Sequence, residues 1–438
     1  MNVKTRVGFL AGAAAISLTG VSVADSSAEA LSTDARIAEL EAQVAQLRGE
    51  GWLNEQRTEE VRSLIQDVLA DADTRSSLLQ SGTTAGYDKG FMLSSADGNF
   101  LLKINGYMQI RAVVNYQDDD DATNDSTRSG FENRRTRLKF SGHVVDPSWK
   151  YVIYGDFGTS GSFGLLDAYV QKNYDNGWFS RVGQFKGGWL REELVSAFKQ
   201  LTVERSLVNG RFTQGRSQGI AMGYSGDQFR GSFMYSNGLN DRNGSALDED
   251  SEYSFMGRME FLAAGTWQQF GDFTSMRGSE YGAMIGVAAY VENPEFGTAS
   301  DDDQVQSYGL TADVSSEGDG WNVYGAFIFN GVSDDRAGMK DRDQWAFVVQ
   351  GGYFFTDDIE AFARFEYGDL DDDSEELQVL TVGFNKYWAG HGLKWTTDVG
   401  YGINEVSSAW ASDGAGWRTD GLDEDGQFVL RSQIQLTF

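Results

Sequence analysis

Gln427-Phe428-Val429-Leu430-Arg431-Ser432-Gln433-Ile434-Gln435-Leu436-Thr437-Phe438 is the stretch whose reading decides the fold. Phe428, Leu430, Ile434, Leu436 and Phe438 share one parity, and Gln427, Arg431, Gln433, Gln435 and Thr437 share the other. Successive side chains of a strand point to opposite faces, so this is a strand with one apolar and one polar face. A soluble β-sandwich could own such a strand. So could the closing seam of a barrel whose outside is apolar. How often the pattern recurs separates the two.

It recurs from Gly90 onward. Asn99 to Gln117 sets Phe100, Leu102, Ile104, Met108, Ile110, Val114 and Tyr116 against Lys103, Asn105, Tyr107, Gln109 and Arg111. Clear repeats follow at Trp149–Phe157, Phe229–Tyr235, Tyr253–Phe261, Tyr281–Val291, Trp321–Phe329, Trp345–Phe355, Ile359–Tyr367 and Leu393–Tyr401. Fainter ones lie at 132–144, 166–174, 178–185, 218–224, 304–314 and 376–384. The total is about 16, and an even number suits a bacterial single-chain barrel. Aromatic residues gather at strand ends, among them Tyr116, Trp149, Trp178, Trp321, Trp345 and Tyr401. That placement suits two membrane interfaces.

Composition points the same way. The chain has 438 residues, 53 Gly, 2 Pro, no Cys and a net charge of -29. Mean hydropathy is -0.40. After the N-terminus no apolar run is long enough to span a bilayer as a helix. Only helices and closed barrels satisfy their backbone in lipid, so a membrane protein of this composition is a barrel. The expected fold is all-β: a closed antiparallel transmembrane β-barrel of about 16 strands behind a short helical or coiled-coil segment.

The N-terminus reads as an address. Lys4 and Arg6 precede an apolar core from Val7 to Leu18, and Ser22-Val23-Ala24 fits a cleavage site. Residues 1–24 are expected to be a signal peptide. Residues 25–85 are expected to be a helical or coiled-coil periplasmic segment with a hinge, and residues 86–438 the barrel. Ile37, Leu40, Val44 and Leu47 have a/d spacing, but two heptads are marginal alone. Ser81 to Gly86 reads as a turn-rich hinge.

Catalytic patterns are missing. No GxSxG, HExxH, P-loop or Cys nucleophile occurs, and the two histidines, His143 and His391, lack a defensible triad. No enzymatic activity, cofactor, metal or nucleic acid is expected. Asp369, Asp371, Asp373 and Glu376 approach a calcium loop but lack its central Gly. The other acidic clusters, such as Asp118–Asp121 and Asp301–Asp303, read as solvated loops.

The sharper signal is basic. If Thr136, Leu138 and Phe140 face lipid, then Arg135, Arg137 and Lys139 face the lumen, roughly 7 Å apart up one strand. Lys103, Arg111 and Arg181 join them from other strands. A wall of one sign raises the local concentration of counter-ions. Between Phe185 and Ser217 lies a long connection with Leu190, Leu194, Phe198 and Leu201 at helical spacing. It carries Arg191, Lys199, Arg205, Arg211 and Arg216, and is expected to fold inward as a constriction loop.

Several stretches in order carry a family resemblance. They are Gly90-Phe91-Met92-Leu93-Ser94-Ser95-Ala96-Asp97-Gly98, Arg134-Arg135-Thr136-Arg137-Leu138, Asp167-Ala168-Tyr169, Arg181-Val182-Gly183-Gln184-Phe185-Lys186 and Val203-Glu204-Arg205-Ser206-Leu207. Across Gly90 to Phe438 the chain resembles the phosphate-selective porin O/P family. The resemblance implies a 16-stranded homotrimeric porin of the bacterial outer membrane, with an inward loop and lumenal arginines that pass phosphate-like anions. It departs from the family in its strong acidity and in Gly187-Gly188, where a Pro is expected. The expected function is passive passage of small hydrophilic solutes with preference for anions. The alternative is a general or cation-tolerant porin whose N-terminal helix links outer membrane to cell wall.

Overall fold

The computed structural model describes residues 83–117, 126–244, 251–294, 305–335, 340–372, 374–421 and 425–438, with isolated positions 38, 39, 41, 42 and 63 ahead of them. Ala38, Glu39, Glu41, Ala42 and Ser63 are helical. The heptad residues Ile37, Leu40, Val44 and Leu47, like the signal segment, lie outside the described residues.

Eighteen strands form one antiparallel sheet. A hairpin of β1 (Thr83–Tyr87) and β2 (Phe91–Ser95) comes first. The barrel wall runs through β3 (Leu101–Tyr116), β4 (Thr127–His143), β5 (Trp149–Asp156), β6 (Gly164–Asn173), β7 (Trp178–Lys186) and β8 (Arg216–Ser225). It continues through β9 (Phe229–Ser236), β10 (Ser251–Ala264), β11 (Gly282–Pro294), β12 (Val305–Gly318) and β13 (Trp321–Asp334). The last strands are β14 (Arg342–Phe354), β15 (Ile359–Asp369), β16 (Leu377–Tyr387), β17 (Leu393–Gly402) and β18 (Phe428–Thr437). Each wall strand pairs with its neighbour in sequence, and β18 returns to β3, from Phe428 opposite Tyr116 to Thr437 opposite Tyr107. Sixteen strands therefore close a cylinder, as the count of alternating segments predicted.

The hairpin corrects one expectation. Thr83 to Tyr87 is a strand, not a hinge, with Thr83 opposite Ser95 and Tyr87 opposite Phe91. β-Branched and aromatic residues suit this pairing, and Gly90 at φ 136° supplies the turn. β2 pairs with Leu101 to Ile104 of β3, the part of that strand which β18 leaves uncovered.

The alternation seen in sequence is the wall's inside and outside. Leu430, Ile434 and Leu436 are exposed, whereas Val429, Arg431, Gln433 and Gln435 are buried. Aromatic pairs mark both rims of the outer surface. Phe229 and Phe261 sit 4.8 Å apart at one end, and Tyr401 and Phe428 4.7 Å apart at the other.

Three segments fill part of the cylinder. The connection from β7 to β8 carries α1 (Arg191–Leu194) and α2 (Leu207–Phe212). The connection from β10 to β11, residues 265–281, turns inward from the other end and buries Phe270 and Phe273. The connection from β17 to β18 buries Val406, Trp410 and Trp417. Phe212 of the first packs edge-on against Trp410 of the third at 5.9 Å.

Candidate functional site in the barrel lumen

The inward loop is held by polar side chains that project from the wall. Gln435 donates to the Phe198 carbonyl at 2.9 Å, and Asn385 to that of Leu201 at 2.9 Å. Lys394 donates to Gln200 at 2.8 Å, and Arg364 to the Glu204 carbonyl at 2.8 Å. In return, the Val203 amide donates to Asp398 at 3.0 Å and the Leu207 amide to Glu366 at 2.6 Å. Buried backbone groups need partners, and here wall residues supply them. The inward faces of β14 to β18 therefore cradle the loop and do not line water.

Gly187-Gly188, the point of departure from the family pattern, lets this loop start. A Cβ at Gly188 would lie 3.0 Å from Cβ of Arg258, and one at Gly187 about as near the Met256 methyl, at 3.0 Å. The chain thus passes close against β10 at these two glycines.

The predicted lumenal cations separate into two groups. Arg111 and Arg135, joined by Arg134, which was not among them, converge on Glu204 of the loop. Arg134 lies at 3.0 Å and Arg111 at 3.3 Å, and Arg135 binds both carboxylate oxygens. Arg111 also pairs with Glu132. Burial alone raises the Glu204 carboxyl, but Arg135 and Arg134 hold it well below the usual carboxylate range. Arg135 is itself buried. Arg134 joins through a β-bulge. The β3–β4 register shifts between Gln109, opposite Arg135, and Ile110, opposite Asn133, which leaves Arg134 unpaired and free to turn inward.

The second group lies along β4 to β8, where Arg137, Lys139, Arg181 and Arg216 remain half-buried. Arg137 pairs with Asp156 at 2.6 Å, and Arg216, on β8 and not in the loop, pairs with Asp167 at 2.7 Å. Lys139 makes no ion pair among the described residues. Neither does Arg181, whose Nε and Nη2 donate to Gln171 at 2.9 and 2.7 Å. Its guanidinium lies over Tyr169 at 4.5 Å. In mid-wall, Arg137, Lys139, Arg181 and Arg216 thus face only Asp156 and Asp167. Lys103 stands near the hairpin end and pairs with Asp88 at 2.7 Å.

The loop residues are equally divided. Arg191 is buried, donating to Ser315 and to the Phe270 carbonyl, each at 2.9 Å. Arg205 binds the carbonyls of Glu192 and Val195 and lies 3.3 Å from Glu193. Lys199 is 3.7 Å from Asp272, where the loop meets the 265–281 segment. Arg211 is exposed.

Sequence reasoning missed Glu204, Glu366 and Asp398 as loop anchors, along with Arg134. One signal for Arg134 was present. Phe131 is apolar on odd parity, whereas Leu138 and Phe140 are apolar on even parity, so a residue must be inserted between them. Among the described residues no cluster suited to a metal ion occurs.

Solved structures with this fold are porins and related channels. An anion-selective porin from Comamonas acidovorans matches with a TM-score of 0.56 at 12% identity, over 77% of this chain and 99% of that one. The outer membrane channel DcaP of Acinetobacter baumannii matches at 0.52 and 14% identity, over 81% and 100%. OmpT of Vibrio cholerae, folded in vitro, in its trimer form, matches at 0.51 and 12%, over 77% and 99%. No curated protein sequence matches. At these identities the structures establish the barrel alone. The family model for phosphate-selective porins O and P, however, matches residues 104–402, well over half of the chain. The lumen described above is therefore that of an outer-membrane channel rather than an enzyme, and the chain belongs to the phosphate-selective porin O and P family.

Proposed function

We propose that the protein is a passive porin for small hydrophilic solutes that prefers anions, phosphate-like ions among them. The observation that carries this reading is the excess of cations on the half-buried inward faces of β4 to β8. Lys139 and Arg181 make no ion pair among the described residues, while Asp156 and Asp167, the acids on that face, each already hold an arginine. Low-dielectric walls focus such a field on a narrow aqueous path. Several weak sites let an ion enter and leave. The anion-selective porin from Comamonas acidovorans shares the fold and agrees with the reading.

The test is the reversal potential of the purified protein across a salt gradient, for wild type and for Lys139→Gln/Arg181→Gln. Wild type should favour chloride over potassium, and the double variant should lose most of that preference. A cation-preferring wild type, or an unchanged variant, overturns the reading. We also propose a homotrimer, in keeping with the trimer form of the OmpT relative. Residues 25–82 would be a periplasmic helical segment following a cleaved signal peptide. Cysteines at Leu40 that cross-link between protomers would support that arrangement.

A further inference from the structure

A chamber of about 310 Å³ opens beside the inward loop, between α1 and the wall formed by β7 to β10. Its polar groups are mostly spoken for. Arg230 and Arg258 pair with Glu260, and Lys186 with Glu193 at 2.7 Å. Arg191 is committed to Ser315 and the Phe270 carbonyl, and Arg181 makes no ion pair among the described residues. Three rings surround its guanidinium: Tyr169 at 4.5 Å, Phe185 at 5.0 Å and Phe179 at 5.4 Å. Gln171 takes up Nε and Nη2. Nη1 keeps both protons without a partner among the described residues. The rest of the lining divides between these paired polar groups and an apolar part made by Phe179, Phe185, Ala221, Met234 and Phe270.

We propose that this chamber is a binding site for a small organic carboxylate with an apolar body, such as an aromatic acid, caught in transit through the lumen. The proposal rests on the anion-preferring reading and names the substrate class for one site within it. The Arg181 guanidinium, which makes no ion pair among the described residues and keeps Nη1 free of the Gln171 contacts, matches one carboxylate. Arginine recognises that group through its planar fork, and the stacked rings hold the fork in place. The apolar part of the lining, which adjoins Arg181, favours this ligand over inorganic phosphate. Phenyl rings and thioethers cannot replace the hydration shell of a doubly charged ion, whereas they favour a desolvated hydrocarbon body. A volume near 310 Å³ lies at the small end of the ~300–1,000 Å³ span of ligand sites, enough for one such acid.

The test uses the full-length protein in planar bilayers, with potassium chloride current read against added benzoate, acetate or inorganic phosphate. Benzoate should block at about tenfold lower concentration than the other two, a difference equivalent to one decade of affinity. Arg181→Gln should raise the benzoate concentration needed to that of acetate. Should that variant fail to fold, Ala221→Phe fills the chamber and leaves the charge, and should produce the same loss. Equal block by all three anions, or benzoate block unaltered in the variants, overturns the proposal. The wild-type reversal potential separates the two readings. A cation-preferring channel still blocked by benzoate retains the site and refutes only the general anion preference. An anion-preferring channel with no benzoate selectivity refutes only the site.

Discussion

Phe438 shows how one residue completes the cylinder. Its amide donates to the Gly106 carbonyl and its carbonyl accepts from the Gly106 amide, both at 3.0 Å. Its ring lies where a Cβ on Gly106 would be, and packs edge-on to Phe91 of β2 at 6.0 Å. The seam of strand, hairpin and terminus therefore meets on one glycine. Gly106→Val should destabilise the barrel by about 1–3 kcal/mol, the usual cost of overpacking, and reduce the heat-modifiable folded fraction on electrophoresis. Glu204 is the polar counterpart. Glu204→Gln would leave Arg111, Arg134 and Arg135 with little to balance them in a buried place. Breaking such a cluster costs roughly 3–5 kcal/mol. The thermal midpoint should fall, and the channel that survives should be more anion-selective by reversal potential. The sequence displayed Phe438 plainly, since a terminal ring ends a regular alternation. It did not display Glu204, because nothing local distinguishes a carboxylate that meets three arginines from one that meets water.

At the level of elements, strands were legible and inward segments were not. A wall strand has lipid on one side and polar lumen on the other, so its periodicity is written locally. The inward loop declared itself only by length and by apolar residues that a wet loop would not need. Residues 265–281 gave less warning, yet they bury Phe270 and Phe273 and bring Asp272 within 3.6 Å of His391. Their placement depends on partners far away in sequence. Phe273 packs at a tilt against Tyr324, ring centroids 4.8 Å apart, and its amide donates to the Lys199 carbonyl of the loop. Likewise Arg364, Lys394 and Arg431 carry the lumen-facing parity that the alternation indicates, but they support backbone and acids, not solute. Replacing residues 266–280 with an Asp-Gly turn would remove this second constriction. Single-channel conductance should rise while the anion preference, carried by β4 to β8, persists. Unchanged conductance would show that the segment lies off the ion path.

For the whole molecule, a net charge of -29 has to coexist with a basic path. Position reconciles them. Asp369 ends β15, and the exposed Asp371 and Asp372 follow it at the same end as Tyr116 and Phe428. Long connections of outer-membrane barrels face the exterior, so Asp371 and Asp372 stand at the channel mouth. Lys139 and Arg181 sit within the wall, away from that mouth. Which set an incoming ion feels depends on ionic strength. At 0.01 M salt the Debye length is about 30 Å, so the acidic mouth repels anions before they reach the path; at 0.1 M it is about 10 Å, and only the nearby lumenal cations are felt. Anion preference should therefore increase as salt rises from about 0.01 to 0.1 M, the reverse of what simple screening of a basic pore would give. Neutralising the mouth, by Asp369→Asn/Asp371→Asn/Asp372→Asn, should flatten that dependence and leave the value at 0.1 M nearly unaltered. Reversal potentials measured at a fixed concentration ratio across this range supply the check. A preference that falls steadily with salt in both proteins would mean that the mouth charges do not act on entering ions.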